Sequence, residues 1–260
     1  MGRSSRRRQQ RPGAPRTAGS AAGAPPPPKP RWRETFDAWG GWPVFGSIAG
    51  VLVVVVGLIY LNRPGSSAGS GVYTPLPRTT VSGRIQGDAK APVKILAFED
   101  FQCPFCQKFA VEIEPVLEQE FVNTGIASIQ FMPYSFLGEE SKKAAEGGEC
   151  AADQNHFWDY HDVLYLRQGA ENSGVYSPAN LKKYAREVSA HYKDFDVAKF
   201  DQCLDSGQKR PLVEQLSQQA VSAGVTSTPT FAINGVRLGG VQTIDVFRQA
   251  IQAAQTAASK

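Results

Sequence analysis

Two cysteines, Cys103 and Cys106, stand at the ends of the sequence Cys-Pro-Phe-Cys. Two thiols at this spacing can form a disulfide with each other, or they can supply two of the four ligands of a zinc site. A zinc ribbon needs a second close pair, whereas the remaining cysteines, Cys150 and Cys203, are far apart in the sequence. The spacing therefore favours redox chemistry over metal binding, and we predict no metal site.

The segments around this motif predict a strand before it and a helix after it. Residues 92–98 are apolar apart from Lys94, as in a buried strand. After the motif, large apolar residues recur at every fourth position, a helical stripe: Phe105, Phe109, Ile113, Leu117 and Phe121. Pro115 predicts a kink about one turn before it, because proline has no backbone N–H to donate.

Cys103 is expected at the N-terminus of the predicted helix, with a proline at the first helical position. The free backbone N–H groups and the helix dipole stabilise a thiolate there and lower the pKa of the thiol. Cys106 follows one turn later on the same face. We therefore expect Cys103 to be the exposed nucleophile and Cys106 the buried resolving cysteine.

A second motif, Thr-Pro-Thr-Phe, occupies residues 228–231, and Asn234-Gly235 after it is a hairpin signal. Together with Phe-Gln-Cys-Pro-Phe-Cys, this motif resembles the DsbA-like branch of the thioredoxin superfamily, over about residues 81–255. The resemblance implies an α/β, thioredoxin-like fold. It also implies that Pro229 is cis and that Thr228 and Pro229 form one wall of the substrate site, facing the redox pair.

The resemblance further implies an activity and its partners. It implies oxidation of thiols in secreted proteins, no cofactor beyond the redox-active disulfide, and reoxidation by a membrane quinone reductase of the DsbB or vitamin-K-epoxide-reductase-like type. Many relatives place a buried acid six residues before the first cysteine, where this chain has Ala97. We expect Glu99 or Asp100 to take over its role in proton transfer.

One departure from the family pattern bears on the redox potential. The best-known DsbA has histidine between its cysteines, whereas this chain has proline and phenylalanine. We expect a less depressed pKa for Cys103 and a less oxidising protein. Two other functions stay open: an extracytoplasmic disulfide reductase or isomerase, and a non-catalytic adaptor that holds partners beside Pro229. A potential nearer thioredoxin's, about −270 mV, than DsbA's, about −120 mV, would favour the former.

The N-terminal quarter of the chain has a different composition. The net charge of +4 conceals a basic segment, residues 1–63, with ten Lys and Arg against two acidic residues. Residues 1–41 are rich in Arg, Pro, Gly and Ala, which predicts a disordered cytoplasmic tail. No folded nucleic-acid-binding motif accompanies this tail, so we expect no nucleic-acid partner.

Residues 42–61 contain no charged residue, and a helix of this length spans about 30 Å, the thickness of a bilayer's hydrocarbon core. The arginines lie mostly before this segment, which places the N-terminus in the cytoplasm. A cleaved signal peptide is the alternative, although its basic and apolar regions would be shorter. We predict a single-pass anchor in the cell membrane, a linker over residues 62–80 and an extracytoplasmic domain over residues 81–260.

Helix-forming sequence from about residue 139 to 206 predicts a helical insertion in the thioredoxin-like domain. Cys150 and Cys203 lie inside it, and an even number of cysteines outside the cytoplasm favours pairing. We predict a structural disulfide between them; two free buried thiols are the alternative. His156 and His161 would lie about 140° apart on a helix and are interpreted as ordinary helix residues.

Overall fold

The computed structural model describes residue 47, residues 50–54 and residues 71–258. Residues 47 and 50–54 are helical and belong to the predicted span 42–61, the rest of which lies outside the described residues. In the part of the chain that the structure describes, no helix has both the length and the apolar composition needed to cross a membrane. The anchor stays a prediction.

The predicted tail, residues 1–41, and residues 62–70 of the predicted linker also lie outside the described residues. The folded domain begins earlier than the predicted boundary at residue 81. Tyr73 is buried, and its hydroxyl donates a hydrogen bond to Asp159 over 3.0 Å. The last part of the predicted linker is therefore packed against the domain rather than free of it.

A six-stranded mixed sheet forms the centre of the domain, in the order β1-β2-β4-β3-β5-β6. Its strands are β1 Val81–Ser82, β2 Ile85–Gln86, β3 Val93–Glu99, β4 Ala127–Pro133, β5 Thr230–Ile233 and β6 Val236–Gly239. β3 and β4 are parallel, and the other neighbouring strands are antiparallel. This arrangement places β3, the strand that leads into the redox motif, inside the sheet.

The apolar residues of β3 explain its central position. Val93, Ile95 and Ala97 are almost completely buried on one face, and Leu96 and Phe98 pack into a second apolar cluster on the other, as expected for a strand covered on both faces. Pairing with β4 on one side and β5 on the other leaves the strand no free edge. β3 ends at Glu99, one residue beyond the predicted end at Phe98. This places a glutamate directly before residues 100–103, which connect β3 to α1 and which we call the redox loop.

The helical segment after Cys103 contains two wider turns. It consists of α1 Pro104–Lys108, a π-helical turn Phe109–Ile113, α2 Glu114–Leu117 and a second π-helical turn Glu118–Val122. Pro115 cannot donate a backbone hydrogen bond to the turn before it, so the helix widens there. The kink expected before Pro115 takes the form of a π turn.

Four helices form the insertion: α3 Glu139–Ala152, α4 Phe157–Leu166, α5 Pro178–His191 and α6 Val197–Ser206. Two more helices, α7 Arg210–Ser222 and α8 Ile244–Ala258, precede β5 and follow β6. The rings of Phe101 and Tyr165 lie 5.2 Å apart between centroids, so α4 packs directly against the redox loop. The helical insertion thus covers one side of the site.

Candidate active site

The two cysteines lie where β3 turns into α1. Cys103 is the residue immediately before the helix, with an extended backbone, and Pro104 occupies the first helical turn. The backbone N–H of Gln107 donates to the Cys103 carbonyl over 3.1 Å, which fixes Cys103 at the start of the helix. No disulfide joins the two cysteines in this structure.

The surroundings of the two thiols shift their pKa values in opposite directions. A hydrogen bond from the Cys106 thiol is the main cause that lowers the pKa of Cys103 to about 6, and Thr228 and the backbone N–H groups of Phe105 and Cys106 add to it. Burial is the main cause that raises the pKa of Cys106 well above its ordinary value, and Glu99 adds to this effect. At neutral pH, Cys103 is therefore mainly a thiolate and Cys106 a thiol.

Cys103 is less accessible than the sequence predicts. We expected an exposed nucleophile, but only 5% of the residue is exposed, whereas Phe105 is 62% exposed. The loop at Thr228 causes this burial, because the Cys103 sulfur lies 3.4 Å from the Thr228 carbonyl oxygen. The expectation of an exposed Cys103 is corrected: its sulfur lies against the wall of the site.

The Thr228–Pro229 loop lies beside the redox pair, and its peptide bond is cis. Pro229 is buried, and its carbonyl accepts a hydrogen bond from the backbone N–H of Gly240 over 2.8 Å. The structure thus brings together the two motifs that are far apart in the sequence.

Glu99 is completely buried at the end of β3. The hydroxyl of Tyr165 donates to its Oε2 atom over 3.0 Å, and its Oε1 atom has no hydrogen-bond partner among the described residues. Burial is the main cause that raises the pKa of this carboxyl to about 8, and the Cys103 charge adds to it. Glu99 is therefore a protonated acid at neutral pH, electrostatically coupled to both cysteines.

Asp100 has a different environment. Its Oδ1 atom accepts the backbone N–H of Gln102 over 2.9 Å, and its Oδ2 atom accepts those of Phe136 and Leu137 over 3.0 and 3.1 Å. Burial raises the pKa of Asp100, although these hydrogen bonds oppose the effect. Its carboxyl joins the redox loop to the loop after β4.

Two buried residues next to Glu99, Glu114 and His161, were not singled out as site residues from the sequence. One carboxyl oxygen of each glutamate and one ring nitrogen of His161 all lie within 4.8 Å of one another. Glu114 follows the first π turn, which contains one more residue per turn than an α-helix and rotates the inward face away from Ile113. The apolar residues at every fourth position predicted that Ile113, not Glu114, would face the core, so the sequence did not indicate that Glu114 is buried.

His161 lies in α4 and is completely buried, with aromatic rings such as those of Phe101 and Tyr165 around it and the carboxyls of Glu114 and Asp162 beside its ring nitrogens. His156 pairs instead with Asp159 over 3.0 Å. No cysteine belongs to the cluster around His161, and its three donors are fewer than the four of a closed structural zinc site.

The insertion also holds the redox loop in place. Gln168 donates hydrogen bonds from Nε2 to the carbonyls of Phe101 and Cys103 over 2.6 and 3.1 Å. The hydroxyl of Tyr176 donates to the same Phe101 carbonyl over 3.0 Å. These contacts join elements distant in sequence, and no local motif predicts them.

Cys150 and Cys203 form a disulfide that joins α3 to α6, with an S–S distance of 1.98 Å. Both residues are buried inside the insertion. Neither lies before the first turn of a helix, the position that lowers the pKa of Cys103. The bond is thus separate from the Cys103–Cys106 pair.

Comparison with known proteins gives consistent matches. The thioredoxin family model matches residues 79–253, most of the chain. A protein of Bacillus anthracis named "Probable disulfide bond formation protein D" is 29% identical over 151 residues, which cover 57% of this chain and 68% of the relative.

Two further matches, one to a solved structure and one to a longer protein, cover similar shares of this chain but very different shares of the matched proteins. The solved structure of oxidised BdbD from Bacillus subtilis has a TM-score of 0.60 at 24% identity, covering 67% of this chain and 94% of that one, and supports the fold. The Na(+)/H(+) antiporter NhaA 3 of Salinispora tropica is 29% identical over 172 residues, covering 65% of this chain. The match spans only 24% of the antiporter's length.

Proposed function

This chain belongs to the thioredoxin family and is a thiol–disulfide oxidoreductase, and from this premise we propose that it oxidises cysteines of secreted proteins through Cys103 and Cys106. The observation that carries the proposal is the difference between the two thiols. The pKa of Cys103 is lowered to about 6, whereas that of Cys106 is raised. A thiol with a low pKa is the better leaving group, which suits Cys103 to release an oxidised substrate.

The first step starts from the Cys103–Cys106 disulfide. A substrate thiolate attacks the Cys103 sulfur; the bond between these two sulfurs forms, the Cys103–Cys106 bond breaks, and Cys106 takes the electron pair. Cys106 is completely buried, so its thiolate needs a proton. Glu99, with a pKa of about 8, donates this proton as a general acid.

In the second step, another thiolate of the substrate attacks the substrate sulfur that is bound to Cys103. The substrate disulfide forms, the bond to Cys103 breaks, and Cys103 leaves as a thiolate. Because the pKa of Cys103 is about 6, it leaves without protonation at neutral pH. The substrate has lost two electrons, and the Cys103–Cys106 pair has gained them.

Between the two acids predicted from the sequence, the contacts favour Glu99 for proton transfer. Its Oε1 atom has no hydrogen-bond partner in the described structure, whereas both oxygens of Asp100 accept backbone N–H groups. An acid that exchanges protons needs an oxygen that is not already saturated. Asp100 instead keeps the redox loop in position.

We also propose that residues 42–61 anchor the chain in the cell membrane, with the catalytic domain outside the cytoplasm. The uncharged length of this segment and the arginines before it support the topology. A membrane quinone reductase of the DsbB or vitamin-K-epoxide-reductase-like type then reoxidises the cysteine pair. A reporter that is active only in the cytoplasm, fused after Lys260, should stay silent; activity of this reporter would contradict the topology.

A disulfide reductase or isomerase is the second candidate, and one observation favours it. The pKa of about 6 for Cys103 is closer to the value of about 7 in thioredoxin than to about 3.5 in DsbA. A higher pKa stabilises the reduced pair less, so the pair is a weaker oxidant. We therefore propose an oxidant weaker than DsbA.

The test uses the oxidised full-length chain and an equimolar dithiol peptide whose free thiols are counted with time. The wild-type protein should convert the peptide to its disulfide, and the Cys103→Ser variant should not. In cells, Cys106→Ala should retain substrates in reductant-sensitive mixed disulfides, because the resolving thiol is missing. Equal trapping by Cys103→Ser would contradict the assigned roles.

A further inference from the structure

The proposed role of Glu99 creates a need for a proton route. Glu99 gives one proton to Cys106 when the pair is reduced, and it takes up another because its carboxyl, with a pKa of about 8, is protonated at neutral pH. When the pair is reoxidised, Cys106 loses its proton, so in each turnover one proton enters this site and one leaves it. Both residues are completely buried. A protein substrate joined to Cys103 covers the surface at this sulfur, so the replacement proton has to reach Glu99 from another side.

A cavity of about 270 Å³ opens on a different part of the surface. Its lining includes Tyr73 from the segment before β1, Ala110 and Pro115 from the helix after the redox pair, and Asp162 and Tyr165 from α4. Neither cysteine of the redox pair and neither residue of the Thr228–Pro229 loop lines it. We call it the side cavity.

Polar side chains connect the side cavity to Glu99. Asp162 lines the cavity, and its Oδ1 atom is 3.1 Å from Nδ1 of His161. The other ring nitrogen, Nε2, lies 3.8 Å from Oε2 of Glu114. Glu114 and His161 then lie within 4.8 Å of Glu99, measured between their ligand-type atoms. Small side-chain rotations, of about 1 Å at these atoms, bring successive groups to hydrogen-bond distance.

The atoms along this connection are free to exchange protons. Oε1 of Glu99, Oε1 of Glu114 and Nε2 of His161 are buried and have no hydrogen-bond partner within the described chain. An unpaired buried polar group costs about 1–3 kcal/mol, so three in one cluster are unusual for a purely structural arrangement. Arg78 holds Asp162 over 2.9 Å and Glu118 over 3.0 Å, which fixes the outer end of the connection.

We propose that Asp162, His161 and Glu114 carry protons from the side cavity to Glu99. The inference rests on the proposed function of Glu99 as the acid that protonates Cys106. At rest, neutral His161 donates Nδ1–H to the Asp162 carboxylate. When a proton leaves the site, Glu99 gives its proton to Glu114 as Glu114 gives its own to Nε2 of His161, and Nδ1–H passes through Asp162 to water in the cavity. The ring then carries its proton on Nε2, and uptake is the reverse sequence: water protonates Nδ1 through Asp162, Nε2–H goes to Glu114, and the proton of Glu114 goes to the Glu99 carboxylate. One proton enters and one arrives at Glu99, and no electron moves.

The groups facing this route come from five parts of the fold. They are Glu99 from β3, Cys106 from α1, Glu114 and Glu118 from the helix that follows, His161, Asp162 and Tyr165 from α4, and Arg78 from the segment before β1. Arg78 is the cation among them and is paired with two carboxylates. His161 stays neutral when it takes a proton on one ring nitrogen as it loses one from the other, so the transfer leaves no unpaired buried cation.

The experiment measures proton transfer without any substrate. In the full-length Cys103→Ser variant, Cys106 is the titrating thiol of the pair, and its thiolate is followed by ultraviolet absorbance after a rapid pH jump. Adding Glu114→Gln, which keeps the size of the side chain, should slow thiolate formation about tenfold. Adding His161→Phe should do the same. His156→Phe, which removes a histidine paired with another aspartate, is the matched control and should leave the rate unchanged.

Equal rates in the Glu114→Gln, His161→Phe and control variants would overturn the route. If Glu99→Gln slows thiolate formation but Glu114→Gln and His161→Phe do not, the route fails while the role of Glu99 stands. If Glu99→Gln has no effect, the proposed acid is wrong as well. Thermal unfolding of each variant shows whether it has folded. If His161→Phe does not fold, the rate measured for Glu114→Gln alone decides the outcome.

Discussion

Replacing Glu99 with Gln should change how the stability of the reduced protein depends on pH. Burial raises the pKa of this carboxyl from 4.5 to about 8. Between these values, the unfolded chain releases the proton while the folded chain keeps it. The contribution of Glu99 to stability is therefore fully present below about pH 4.5, decreases as the pH rises, and is lost above about pH 8.

The magnitude follows from the size of the shift. A shift from 4.5 to about 8 corresponds to at most about 5 kcal/mol of unfolding free energy. Glutamine is neutral at every pH and can still accept the hydrogen bond of Tyr165 through its carbonyl. The variant should therefore lose this pH dependence and gain stability over the wild type, by up to about 5 kcal/mol, between pH 5 and pH 9.

Urea unfolding of the reduced full-length protein across this pH range measures the difference. Titrating groups that do not interact with Glu99 contribute equally to both proteins and cancel. Cys103 and Cys106 do interact with Glu99, so both are replaced by serine in the two proteins compared. Glu112→Gln is the matched control, because Glu112 is exposed and pairs only loosely with Lys108, 4.0 Å away. If the wild type and Glu99→Gln show parallel pH profiles, the protonated buried carboxyl is refuted.

Three further predictions concern the cysteines and the redox loop. The alkylation rate of Cys103 should rise with a midpoint near pH 6, and a midpoint at the ordinary thiol value, about 8.5, would contradict the low pKa. Cys150→Ser combined with Cys203→Ser should lower the unfolding free energy by about 4 kcal/mol, as expected for a sequence separation of 53 residues, and leave the redox potential nearly unchanged; unchanged denaturation midpoints would argue against a structural role. Gln168→Ala should cost about 1–3 kcal/mol and shift the alkylation midpoint of Cys103, because the carbonyls of Phe101 and Cys103 each lose one of their two donors; a stability loss without any shift would limit Gln168 to a structural role.

The sequence predicted the parts of the fold that depend on local patterns. Apolar runs and proline positions gave β3, the helix after Cys103 and the helical insertion, because each pattern is contained within one element. Other features arise from tertiary packing. The burial of Tyr73 against α4 extends the domain beyond its predicted start, and nothing in the composition of residues 71–80 indicates that contact.

The residues of the candidate site likewise divide into those that a local sequence motif predicts and those that only tertiary packing brings to the site. Cys103, Cys106 and the Thr228–Pro229 loop belong to motifs, and the structure brings them together. Glu114 was missed because a π turn changes the phase of the helix, and periodicity arguments assume a constant one. His161 was judged by its spacing from His156, whereas its relevant neighbours, Glu99 and Glu114, come from other elements. The low accessibility of Cys103 likewise depends on a distant loop.

The reduction potential of the Cys103–Cys106 couple tests the central claim most directly. The full-length protein, equilibrated with glutathione buffers of known ratio and then alkylated, gives the reduced fraction of this pair. We predict a potential between those of thioredoxin, about −270 mV, and DsbA, about −120 mV, high enough to oxidise structural dithiols with potentials below about −300 mV. A potential at or below thioredoxin's would contradict an oxidase and favour the reductase.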